Sequence, residues 1–442
     1  MFKKVLIIIF ILIVSLGGFF GFFLLKESRN KGVLKAKVYP PETVLEINGK
    51  SYYNDFGYFK IGLEPGHYLA TFSLTDYCSL EKEINIEAGK TLDLDQVYLL
   101  PQKVKSEVLI GDKEINRFFL ISSGNRLIYI NNSGSWSVFD RNSKQEEKDF
   151  FKNKSLPESP PDFSYKKALV NFGKNNWQII FIPKSLISSP ISLTNDFKKV
   201  LSQSEFKEKQ TSLNILQAEF PSQNEESDKI IIRTEDAIYL FDFLNDEIER
   251  LYQGKSSLFV TSGDNIYFIE ESGVFSQISL AGKRTIENSL FSFNPQDLGK
   301  IKIIKGEKSK NFIVIDSTGK AYYLNFEKRE DLPVLIAEGI EDGSFSFDEE
   351  KILLAGKGFV EVFGLKEKIK ISEKLDFENS PCWFLDNNHM IFLQQDSLYA
   401  YDFASSKSFF IAKGVKNNNF FYDSSVNYIF YLSDDGIIKL SL

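Results

Sequence analysis

The sequence predicts a mainly β chain: one N-terminal transmembrane helix, a small antiparallel β-sandwich, then a ring of repeated sheets. Three observations predict it. Val5 to Leu25 is a 21-residue run without a charge, broken only by Ser15 and three glycines. Aromatic residues make up 14% of the chain, with 42 Phe and 19 Tyr, and beyond that run most of them sit in short alternating segments. Such segments recur at a roughly regular interval from Trp136 to the C-terminus.

The apolar run comes first. A helix rises ~1.5 Å per residue and needs about 20 apolar residues to cross a hydrocarbon core roughly 30 Å thick. Lys3 and Lys4 precede the run and Lys26 follows it. A cleaved export signal also starts with a basic head, but its apolar part is shorter and ends at small residues, whereas this one ends Phe22-Phe23-Leu24-Leu25. An uncleaved anchor is therefore expected, residues 1–33 forming the anchor and its flank. The Lys and Arg count is higher after the span (Lys26, Arg29, Lys31, Lys35) than before it and favours a cytoplasmic C-terminal part. Long domains cross largely regardless of charge, so the expected topology is single-pass in the cell membrane with the bulk outside the cytoplasm.

Residues 34–442 are too many for one ordinary core and point to two domains or a repeat array. Removing residues 1–33 takes away five basic and one acidic side chain and moves the formal charge from -7 to -11. Such an acidic surface repels phosphate backbones, and no basic cluster interleaved with aromatics occurs, so no nucleic-acid partner is expected. Cys78 and Cys382 are isolated and read as small buried hydrophobes rather than a bridge. His67 and His389 each follow a turn-forming stretch, Pro65-Gly66 and Asp386-Asn387-Asn388, and read as solvated turn residues rather than as a ligand or a base. No metal or cofactor is expected.

Residues 34–100 carry six strand-like segments: 34–38, 44–47, 58–61, 68–74, 82–86 and 91–94. Asn48-Gly49 tolerates the positive φ of a tight hairpin, and Pro65-Gly66 and Ala88-Gly89 punctuate later connections. Alternation within the segments leaves one face for a core, which predicts a small antiparallel sandwich. Pro41, Val44-Leu45-Glu46-Ile47-Asn48-Gly49 and Leu63-Glu64-Pro65-Gly66-His67-Tyr68 resemble the PEGA domain family. Pro41-Glu42-Thr43-Val44 stands where the family has Pro-Glu-Gly-Ala. The resemblance implies an envelope-associated sandwich without catalytic residues, placed beside a membrane anchor and contacting surface polymer or protein; a plain spacer is the alternative.

From residue 105 to 442 the segments are centred on Ser137, Gln178, Tyr239, Phe275, Tyr322, Val360, Tyr399 and Ile438, with spacings of 41, 61, 36, 47, 38, 39 and 39. A unit of about 40 residues built from short strands is the signature of a β-propeller blade. Eight centres give eight blades, or seven if the last strand closes a blade begun by the N-terminal segment; seven is favoured. Phe139-Asp140, Phe241-Asp242 and Tyr401-Asp402 stand where blades are expected to end, and the array resembles YVTN/TolB-like or Trp-Asp-repeat propellers in period only. The 61-residue gap is assigned to an inserted helix and loop near 194–228, beginning Asp196-Phe197-Lys198-Lys199-Val200-Leu201. Arg141 to Pro161 reads as an exposed connection. These two stretches are the expected partner-contact sites, since binding surfaces gather on such loops.

Motifs for chemistry are missing: neither glycine-rich phosphate loops nor the Gly-x-Ser-x-Gly elbow occurs. Asp316-Ser317-Thr318-Gly319 and Asp434-Asp435-Gly436 read as hairpin turns rather than as protease or calcium elements. No catalytic, cofactor-binding or metal residue is assigned. The expected function is that of a membrane-anchored, non-catalytic cell-envelope protein, inserted through residues 5–25, presenting a PEGA-like domain and a propeller for binding surface protein or glycan. The alternative is a propeller-fold hydrolase or lyase acting on a polysaccharide or peptide, its carboxylates drawn from distant blades. A third reading is a scaffold whose acidic surface docks a basic partner. Convergent Asp, Glu, Tyr or Arg side chains at the ring centre would favour catalysis, and small or apolar ones would favour binding.

Overall fold

Along Gly32–Tyr39, buried and exposed residues alternate, so that Leu34, Ala36 and Val38 face one side of the strand. The computed structural model describes residues 31–441 except 122–124, 165, 183–188, 207–212, 222–227, 263, 281–285, 294–297, 307–309, 327–331, 347–348, 366–368, 371–374, 377–381, 386–388, 404–406 and 424–427. The expected span Val5 to Leu25 lies outside the described residues. Among these, no helix is long and apolar enough to cross a membrane.

Seven strands form the first body. One sheet holds Tyr58–Leu63, Gly32–Tyr39 and Thr91–Tyr98 in that order, the other Lys50–Tyr53, Val44–Ile47, Gly66–Ser73 and Leu80–Ile86. Leu34, Ala36 and Phe59 of the first meet Leu45, Ala70 and Phe72 of the second in one core. Lys50–Tyr53 was not expected, because its Lys-Ser-Tyr-Tyr has no apolar alternation and its residues stay largely exposed. The sandwich is not wholly antiparallel either: Gly32–Tyr39 runs parallel to Thr91–Tyr98. Asn48 and Gly49 take φ of 52° and 72° in the hairpin between Val44–Ile47 and Lys50–Tyr53.

The rest of the chain forms eight successive antiparallel sheets, here blades 1 to 8. Blade 1 consists of Ile115–Leu120, Arg126–Asn131, Ser135–Asp140 and Gln145–Lys152. Blade 2 has three strands, Asp162–Ser164, Lys167–Asn171 and Trp177–Phe181, and blade 3 has Gln217–Glu219, Lys229–Arg233, Ala237–Asp242 and Glu247–Gln253. Blade 4 spans Val260–Ser262 to Ile286–Ser292, blade 5 Lys302–Lys305 to Val334–Ala337, blade 6 Ile340–Phe345 to Leu375–Asp376, and blade 7 Cys382–Phe384 to Lys407–Lys413. Blade 8 takes Phe420–Asp423, Tyr428–Ser433 and Gly436–Ser441 from the C-terminus and its outer strand, Lys105–Ile110, from the start of the array.

The blades close into a ring, because every neighbouring pair shares a core. Phe119 and Trp136 of blade 1 pack with Ala168 and Ile180 of blade 2. Clusters of the same kind join blades 2 and 3, 3 and 4, 4 and 5, 5 and 6, 6 and 7, and 7 and 8. The last joins Phe430 and Leu432 of blade 8 to Phe118 and Leu127 of blade 1. Two polar contacts reinforce that closure. Arg141 meets Asp423 at 2.9 Å with both side chains nearly buried, and the Phe118 N–H donates to Asn419 Oδ1 at 2.9 Å. Across the two chain ends, Lys439 pairs with Glu107 at 2.5 Å, the bonded ammonium holding the Glu107 carboxyl below its usual range. The ring is an eight-bladed β-propeller, one blade more than the favoured count. The last strand does close a blade begun by the N-terminal segment, as that reading has it, but this blade is additional to the seven formed by residues 115–413.

All eight centres read from the sequence lie on the third strand of their blade. Asp140, Asp242 and Asp402 end third strands, not blades; Asp140 and Asp242 accept N–H bonds that shape the hairpin to the fourth strand. Arg141 to Pro161 is not a simple connection, since Gln145–Lys152 inside it is the outer strand of blade 1. Helix α1, Leu193–Gln203, is the helix expected in the long gap; it packs on Trp177–Phe181, and just before it Ile191 pairs with Ile179 at the edge where blade 2 would carry a fourth strand. The later part of that gap, Gln217–Glu219, is the first strand of blade 3 rather than an insertion. Both turn motifs are hairpins: Asp316 Oδ1 accepts from the Thr318 and Lys320 N–H groups, and Asp434-Asp435 joins the second and third strands of blade 8.

Candidate functional site

Two places gather polar side chains. The first is the groove beside α1. Phe197, Val200 and Leu201 bury the apolar face of α1 against Ile230, Tyr239 and Phe241 of blade 3, while its other face and C-terminal end overhang the outer strands of that blade. A groove of about 570 Å³ runs there, floored by Leu240 and Ile248 and walled by Val200 and Gln203. Among the described residues its charged lining is Glu205, Asp242, Asp246, Glu247 and Glu249 with Lys229 as the cation. Phe206 divides it from a smaller groove of about 390 Å³ that reaches Asp236 and Arg250, whose guanidinium covers the Phe206 ring at 4.6 Å. Burial, with the Asp246 charge adding to it, pushes the Asp196 carboxyl up, and Lys199, paired to Asp246 at 3.6 Å, partly offsets this. The surface is thus an acidic cleft with an apolar floor.

The second place is the ring axis. The first strands of blades 4 to 7 touch in sequence, which makes the first strand of each blade the innermost. Asp162 on blade 2, Gln217 and Glu219 on blade 3 and Thr261 on blade 4 meet there. Gln217 Nε2 donates to Glu219 Oε1 at 2.7 Å and to the Phe259 carbonyl at 2.8 Å, while Gln217 Oε1 accepts from the Phe259 N–H at 2.9 Å. Thr261 donates to Glu219 Oε2 at 3.4 Å, and Asp162 Oδ2 accepts from the Phe220 N–H at 2.6 Å. Desolvation deep in the ring, together with the neighbouring Asp162, pushes the Glu219 carboxyl up to about 7, against the lowering bonds from Gln217 and Thr261. Farther round, Lys302 of blade 5 pairs with Asp342 of blade 6 at 2.6 Å.

The single residues read from the sequence are placed as follows. His67 is exposed, on strand Gly66–Ser73 instead of in the turn. His389 is not solvated: it begins the strand His389–Gln394, is 2% exposed, and stands opposite the equally buried Asp402. As the first residue of a strand it is enclosed by the blade, which the local turn-forming pattern does not reveal. Cys78 is half-buried and unbridged, and burial pushes its thiol up. Among the described residues, no group of three or more His, Cys, Asp and Glu could hold a metal ion. Sequence reasoning singled out neither Asp162 nor Glu219, because neither belongs to a local motif and only ring closure brings them together.

No family model matches the chain, the PEGA family included, and no curated protein does. Solved structures to which it is similar include the C-terminal WD40 domain of Sif2, 11% identical over 77% of this chain and 98% of that one with a TM-score of 0.49. BamB from Moraxella catarrhalis is 10% identical over 76% and 98%, with a TM-score of 0.45. Apo AztD from Citrobacter koseri is 12% identical over 78% and 92%, with a TM-score of 0.42. The class of the molecule rests on its own sheet order: a repeat protein of the β-propeller type behind a small sandwich.

Proposed function

We propose that this chain is a membrane-anchored, non-catalytic cell-envelope protein, held by residues 5–25, that presents a PEGA-like sandwich and the propeller outside the cytoplasm to bind a surface protein or glycan. The observation that carries the binding role is the acidic groove beside α1. One wall, from Val200 to Phe206, belongs to the stretch expected to make partner contacts; the groove has an apolar floor to bury a side chain and, among the described residues, sets Lys229 against five carboxylates. A protein segment bearing Lys or Arg beside an apolar residue fits it. A photo-crosslinker at Gln203 or Glu247 in intact cells tests the proposal. A discrete adduct absent from a crosslinker placed at Phe410, an exposed residue on blade 7, is expected; adducts indistinguishable from that control would count against the reading.

A second reading is favoured by one observation. Glu219, with a carboxyl raised to about 7 beside Asp162, has the character of a general acid paired with a carboxylate, as a polysaccharide hydrolase requires. Hydrolysis of purified envelope polysaccharide tests it. Activity that falls at least a hundredfold in both Glu219→Gln and Asp162→Asn would support an enzyme, and activity unchanged in both would remove the reading.

A further inference from the structure

Arg233 ends the second strand of blade 3 and points, like its cross-strand neighbour Gln217, toward blade 4. It is 5% exposed, and its Nη1 donates to the Ser256 carbonyl at 3.0 Å. Nε has no partner among the described residues, and neither has the hydroxyl of Ser256, itself 4% exposed. The nearby carboxylates are turned to other donors. Glu219 takes Gln217 and Thr261, Glu270 takes the Ser276 hydroxyl at 2.6 Å, and Asp236 takes the Thr234 hydroxyl at 3.3 Å. Among the described residues Arg233 forms no ion pair. Burial alone, with no carboxylate opposing it, draws the guanidinium down to about 10.

A buried guanidinium without a counter-charge is strongly unfavourable, and buried N–H and O–H groups almost always have partners. The bond from Nη1 leaves the Nε edge of the fork, the geometry that pairs bidentately with an oxyanion, and the Ser256 hydroxyl supplies a further donor from the linker between blades 3 and 4. We propose that Arg233 and Ser256 form a binding site for one small oxyanion, of the phosphate or sulfate class, wedged between blades 3 and 4 and joining them. This site is separate from the groove beside α1 and does not depend on the binding function proposed for it.

Thermal unfolding of the full chain in phosphate or sulfate, against chloride at matched ionic strength, tests the site. The wild type is expected to show a saturable rise of several degrees in the oxyanions, with the rise abolished in Arg233→Met and displaced to at least tenfold higher concentration in Arg233→Lys. Equal responses in wild type and Arg233→Met, or no oxyanion-specific rise in the wild type, would overturn the proposal. Should Arg233→Met fail to fold, equilibrium dialysis with labelled phosphate decides: one equivalent bound by wild type and weakened binding by Ser256→Ala are expected, and no bound phosphate refutes the site.

Discussion

The interface between blades 4 and 5 and the one between blades 3 and 4 occupy equivalent places in the ring but are filled differently. Between blades 4 and 5, Tyr267, Phe275, Phe312 and Phe326 interlock, with Phe275 and Phe312 edge to face at 5.0 Å. Between blades 3 and 4, Ile231, Ile238 and Phe268 share the space with Gln217, Glu219, Arg233 and Ser256. The aromatic interface gains stability from area and ring geometry. The polar one carries desolvation costs, and a repeated scaffold able to bear them at one joint is free to place chemistry there. The helix-walled groove lies on the same blade 3, so the departures from regular repetition gather in one sector of the ring.

Four substitutions sharpen this contrast, the largest effect first. Phe275→Ala should destabilise by about 3–5 kcal/mol in chemical denaturation, since it empties the centre of the aromatic joint. Glu219→Gln should do the reverse above neutrality. The folded carboxyl is raised from 4.5 to about 7, so the native state holds a proton that the unfolded chain releases at lower pH. Wild-type stability should therefore fall as pH rises from about 4.5 to about 7 and level off beyond, by roughly 3 kcal/mol at most, and the variant should lack that slope. A steeper fall in the variant than in wild type would contradict this account of the joint. Gly436→Ala acts at the ring closure: its φ is 111°, and an added Cβ would lie 1.9 Å from the Ile110 carbonyl on the N-terminal strand, giving an expected loss of about 1–3 kcal/mol. Gly62→Ala in the sandwich, where nothing lies within 4 Å of the new carbon, should change stability by about 0.5 kcal/mol or less.

The same contrast explains what was legible in the sequence. Third strands such as Ala237–Asp242, buried at every position, stand out as apolar segments and mark all eight blades. Fourth strands such as Glu247–Gln253 face solvent at the rim, so their alternation is lost and they read as loops; Gln145–Lys152 was missed for that reason. The extra blade arises because Lys105–Ile110 begins the blade that Gly436–Ser441 closes, whereas Ser135–Asp140 belongs to the next sheet, a separation that local patterning does not show. The helix of the groove was legible from the long gap and the segment Asp196 to Leu201, whereas its packing across blades 2 and 3 was not. Asp162, Glu219 and Arg233 are ordinary charged residues in strands until the ring brings neighbouring blades against them.

Closure of the ring by Lys105–Ile110 underlies the whole arrangement, and hydrogen exchange of its amides tests it most directly. The amides this strand directs at Gly436–Ser441 should be strongly protected and should lose protection together with Tyr428–Ser433 in Gly436→Ala. Exchange of Lys105–Ile110 at the rate of an unstructured segment, with blade 8 still protected, would contradict the closed eight-bladed ring.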